Sequence, residues 1–119
     1  IIFAVDFLPI NGVQFRGMAD TYPLELEESI KKVLAMEWDR MIPGHPGPGG
    51  RLGTKDDVRA HLGYLQELSA AAKKAVGEGK CYDAAMKEIT LPKYESWPNY
   101  KAFLAGNIER YCDVWRRGI

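Results

Sequence analysis

The chain has 119 residues, 46% hydrophobic and 27% charged, with 16 Lys+Arg against 16 Asp+Glu. These are the proportions of one globular domain, and they exclude a disordered tail, a collagen-like repeat and a cysteine-rich miniprotein. A formal charge of zero gives no global field toward nucleic acid or anionic lipid, and no apolar run approaches the ~20 residues of a membrane span.

Ile1–Leu8 is rich in β-branched and aromatic residues and is closed by Pro9 and Asn11-Gly12. It is predicted as a strand covered on both faces. The opening Ile-Ile-Phe-Ala-Val has no Met, basic segment or cleavage site. It reads as a start inside a longer polypeptide, not as a secretory leader. Residues 9–22 are a loop punctuated by Gly12 and Gly17.

Leu24–Met36 is predicted as a helix. Leu26, Ile30, Val33 and Leu34 share one face, and Glu27, Glu28, Lys31 and Lys32 the other. Asp20 or Thr21 is the expected cap, with Pro23 in the first turn. Arg40–Pro43 is a second strand, so the spacing is that of a βαβ unit with parallel strands. Residues 44–50, Gly-His-Pro-Gly-Pro-Gly-Gly, are loop, and they lack the Lys-Ser/Thr of a phosphate-binding loop.

Thr54–Val76 is a long helix opened by a Thr54/Asp57 capping box and closed by Gly77 and Gly79. Val58, Leu62, Leu65, Ser69, Ala72 and Val76 form its stripe. Tyr82–Ile89 is a short helix, Leu91–Pro98 is irregular, and Asn99–Arg117 is the last helix. Tyr100, Phe103, Leu104, Ile108, Tyr111 and Trp115 form its apolar face. Together with Tyr94 and Trp97 these aromatics read as packing for a helical appendage. Cys81 and Cys112 form no close-pair motif. Two reduced, partly buried thiols are the simpler expectation, with a disulfide left open.

Two places carry chemistry. Asp6 sits late in a hydrophobic strand, where a carboxylate is costly unless paired, hydrogen-bonded or metal-bound. His45 follows the second strand in Pro43-Gly44-His45-Pro46-Gly47. Ligands of α/β sheets collect at the carboxyl ends of parallel strands. If the two strands are neighbours, Asp6 and His45 emerge on one edge, and a carboxylate with an imidazole suits zinc. His61, on the long helix, is assigned a packing or surface role.

Phe3-Ala4-Val5-Asp6-Phe7-Leu8, a loop, an amphipathic helix and Asp39-Arg40-Met41-Ile42-Pro43-Gly44-His45, in that order, resemble the C-terminal half of the metallo-β-lactamase fold. Thr54–Leu68 resembles the helix that follows the histidine in that family. The resemblance implies an α/β fold class: half of an αββα sandwich, helix-rich with a small sheet. Residues 1–76 would be the partial α/β domain, and 77–119 a helical extension packed on it. It also implies a zinc-dependent hydrolase in which a metal-activated water attacks an ester, thioester, lactone or lactam. Of the two zinc ions so implied, Asp6 would bridge both and His45 would bind the second.

The family's His-x-His-x-Asp-His cluster and its further histidine are missing; the only histidines are His45 and His61. About three protein ligands are needed for catalytic zinc. The expectation is therefore a chain without catalytic residues of its own, inactive alone, with zinc absent or weakly held. Its partners would be the missing N-terminal half and a second copy, joined through the N-terminal strand, with no nucleic acid and no membrane. A cytoplasmic setting is the simplest for this segment. The alternative is a helical protein-interaction module on a non-catalytic α/β scaffold.

Overall fold

The computed structural model describes residues 1–119. The strands β1 (Ile2–Val5) and β2 (Met41–Pro43) form a two-stranded parallel sheet. Four helices accompany it: α1 (Pro23–Ala35), α2 (Lys55–Gly77), α3 (Asp83–Glu88) and α4 (Tyr100–Arg117). The fold is therefore a helix-rich α/β arrangement. Ile2 pairs with Met41 and Phe3 with Ile42, and a register shift then sets Val5 opposite Pro43.

β1 is shorter than Ile1–Leu8 because Val5 has φ +48°. Left-handed backbone at a β-branched residue ends the extended run and turns the chain. The strand is also covered on one face, not two. Ala4 is buried against the helices, whereas Phe3 is 62% exposed and Val5 52%. Alternate side chains point to opposite faces, and one helical layer covers only one of them.

α1 starts at Pro23, whose missing N–H is an orphan at that position anyway. The expected cap from Asp20 or Thr21 does not form; Tyr22 is the N-cap and makes no side-chain bond. Leu26 and Ile30 are buried toward α2. At the other end, Lys55 Nζ donates to the carbonyls of Leu34 (3.0 Å) and Met36 (2.8 Å). A cation there answers the negative end of the helix dipole. Trp38 Nε1 adds a bond to the Val33 carbonyl at 2.8 Å.

α2 opens with the expected capping box of Thr54 and Asp57. Arg51 forks onto both carboxylate oxygens of Asp57 at 2.7 Å. Arg51, together with the Thr54 amide and hydroxyl, holds the Asp57 carboxyl below its usual range, although partial burial opposes it. Val58, Leu65, Leu68 and Ala72 of α2 meet Ile108 and Tyr111 of α4 in one core, which also takes in Leu8, Val13 and Met41. Tyr111 donates to Glu27 on α1 at 2.8 Å, tying α4 to α1. Trp115 is only half-buried, with Nε1 donating to Ser69 at 3.2 Å.

Cys81 and Cys112 are joined as a disulfide, so the expectation of two free thiols does not hold. α3 folds back along α4 and brings together two cysteines 31 residues apart. No helix is long and apolar enough to cross a membrane.

Candidate functional site

Asp6 and His45 meet at the carboxyl ends of the two parallel strands. His45 Nδ1 lies 2.8 Å from Asp6 Oδ1. Both side chains are open to solvent, 85% for His45 and 69% for Asp6. Backbone geometry brings them together. The left-handed turn at Val5 swings Asp6 across the end of β2, and the Gly44 amide donates to the Val5 carbonyl. A Cβ on Gly44 would stand 2.6 Å from the Val5 carbonyl oxygen. Only glycine permits the strand ends to approach so closely.

A cavity of about 620 Å3 opens beside this pair. One wall is the segment from Leu8 to Phe15, another is the proline-rich loop from Pro43 to Pro48, and Pro98-Asn99 closes it. The volume lies within the usual ~300–1,000 Å3 of small-molecule sites.

The wall from Gly12 to Arg16 has no regular structure, yet side chains from α2 and the α4 region fix its backbone. Asn99 grips Val13 twice: Oδ1 accepts from the Val13 amide and Nδ2 donates to the Val13 carbonyl, each at 2.9 Å. Asn107, fully buried, donates through Nδ2 to the carbonyls of Gln14 (3.0 Å) and Arg16 (2.7 Å). Its Oδ1 accepts from the Tyr64 hydroxyl at 2.8 Å. Burial pushes the Tyr64 phenol up, which keeps it a donor. Gly106 lies beneath the same segment, and a Cβ there would stand 2.9 Å from the Arg16 carbonyl oxygen.

Of the two roles expected for His61, packing or surface, the structure shows packing. His61 is buried, with Nδ1 3.1 Å from the Gly12 carbonyl and Nε2 3.0 Å from Gln14 Nε2. A carbonyl only accepts, so Nδ1 carries the proton and Nε2 accepts from the glutamine amide. Burial pushes the imidazole pKa down to about 4. His61 is therefore a neutral strut of the cavity wall.

Sequence reasoning singled out Asp6 and His45 and missed Gln14, Asn99 and Asn107. Asn107 did leave a signal. It lies on the apolar face of α4, between Leu104 and Ile108, where an amide is costly unless bonded. Gln14 sits in a loop and left none, and Asn99, read as the start of the last helix, is its N-cap with the side chain turned to Val13.

The donor set suits zinc in kind. A carboxylate oxygen and an imidazole nitrogen 2.8 Å apart are close enough to share one cation. It falls short in number, since the chain gathers no group of three or more His, Cys, Asp or Glu around one point. Compared with known protein families the chain matches none, and no curated protein matches it.

Proposed function

We propose that this chain is the C-terminal part of a zinc-dependent hydrolase with a metallo-β-lactamase-like αββα sandwich. Residues 1–76 would belong to the α/β half and 77–119 to a helical extension. The observation that carries the reading is the Asp6–His45 contact at the carboxyl ends of adjacent parallel strands, beside a cavity of small-molecule size. Ligands of α/β sheets gather at such ends. The bare apolar face of β1 supports it as well, because Phe3 and Val5 would be covered by further layers of the sandwich.

In this reading Asp6 and His45 supply two donors, and the remaining ligands come from the N-terminal half of the sandwich. Zinc held there would lower the pKa of water for attack on an ester, thioester, lactone or lactam. The chain's own residues do the rest. Gly44 sets the distance between the two donors. The Nδ1–Oδ1 contact holds the imidazole beside the carboxylate, and a cation shared by the two atoms would take the place of the proton between them. Asn99, Asn107 and His61 hold the cavity wall, so the substrate meets a pre-formed surface. Alone, the chain would be inactive.

The test is elemental analysis of the full gene product that contains this chain. Near-stoichiometric zinc, lowered in Asp6→Asn and His45→Ala, is expected. A full-length protein that carries the same zinc with and without those substitutions would overturn the assignment.

A further inference from the structure

The cavity beside Asp6 and His45 has an unusual lining. Those two are its only ionisable side chains; no lysine or arginine reaches it. Five of its residues are prolines: Pro9, Pro43, Pro46, Pro48 and Pro98. Proline has no backbone N–H, so these positions offer no donors to an anion. The side-chain amides of Asn99 and Gln14 are already engaged. Asn99 is occupied on both its oxygen and its nitrogen by Val13, and Gln14 Nε2 faces His61. Leu8, Ile10, Val13 and Phe15 supply the remaining apolar wall. A carboxylate or phosphate entering here would lose hydration and meet the Asp6 carboxylate, with no lysine or arginine to answer its charge. An uncharged ring or acyl chain would lose only water-exposed apolar surface.

We propose that this cavity takes an uncharged, apolar ring or acyl group of the substrate, and that it discriminates against substrates whose corresponding group is anionic. The inference rests on the hydrolase reading for the word substrate. The binding preference itself is a property of the lining and needs no metal.

The experiment is binding of two probes to the 119-residue chain in EDTA, followed residue by residue by amide NMR shifts. The probes are acetanilide, uncharged, and phenyl phosphate, which carries the same ring with a dianionic group. Saturable shifts with acetanilide are expected at the non-proline residues of 8–15 and 44–47 and at Asn99, and none with phenyl phosphate. Pro48→Trp and Pro46→Phe, two exposed rim substitutions, should each weaken acetanilide by about tenfold, or about 1.4 kcal/mol. Thermal melts of both variants check that they fold. No saturable shifts with acetanilide, phenyl phosphate binding as tightly at the same residues, or rim variants that fold and bind unchanged would each overturn the proposal. The outcome is separable from that of the hydrolase reading, since zinc in the full gene product is measured without these probes.

Discussion

The imidazole of His61, on α2, donates to the carbonyl of Gly12 across 3.1 Å, although the two residues are 49 positions apart. The bond matters because Gly12 begins a stretch that no secondary structure supports. A buried carbonyl without a partner costs ~1–3 kcal/mol, so the cavity wall depends on this histidine remaining a neutral, correctly oriented donor.

Acid should therefore loosen the protein through His61. Its pKa is about 4 folded, against 6.5 as the ordinary value. A depressed folded value means that the unfolded chain binds the extra proton first. The stabilisation is complete above pH 6.5 and is lost as pH falls from there toward 4, by on the order of 3 kcal/mol. Urea unfolding at a series of pH values checks this. In His61→Gln the decline between pH 6.5 and 4 should be clearly shallower, and an identical decline would remove His61 from the account.

Asn107→Ala should strip the donor from two backbone carbonyls and the acceptor from Tyr64. A cost of roughly 2–4 kcal/mol follows from leaving such buried groups unpaired. Hydrogen exchange should accelerate at residues 13–18, while the α2 core around Leu65 and Leu68 stays protected. Uniform acceleration over the whole chain would mean that Asn107 stabilises the fold in general and not this segment.

Gly44→Ala places a methyl group 2.6 Å from the Val5 carbonyl, so the strand ends must part. A destabilisation of about 1–3 kcal/mol is expected, as for other forced insertions. Gly17→Ala meets nothing within 4 Å and serves as the control, with a change within about 0.5 kcal/mol. Equal denaturation midpoints for the two variants would contradict the close approach of Asp6 and His45.

Much of the helical framework is legible in the sequence. α2 and α4 carry long apolar stripes, and α2 has a capping box that local chemistry alone defines. The parallel pairing of β1 with β2 follows from the strand–helix–strand spacing, and with it the meeting of Asp6 and His45. The end of β1 is not legible, because it depends on a valine in left-handed backbone, which propensity argues against. Nor is the pairing of Cys81 with Cys112, or the grip of Asn99 on Val13 across 86 positions. Those contacts are products of tertiary packing, and no local pattern encodes them.

Self-association is the expected behaviour of the isolated chain. β1 pairs only with β2, so its other edge is free, and Ile1, Phe3 and Val5 stand exposed beside it. Such an edge is a template for another strand. Sedimentation velocity should show dimers or larger species that dissociate in Phe3→Lys. A monomer at every concentration reached would remove the second copy as a partner.

The most direct test of the central claim is calorimetric titration of zinc into the 119-residue chain, Asp6→Asn and His45→Ala. Two donors should give weak but saturable binding in the unmodified chain, retained in His61→Gln and lost in each of the other two variants. Saturable binding that is equal in the unmodified chain, Asp6→Asn and His45→Ala would contradict a metal role for the Asp6–His45 pair.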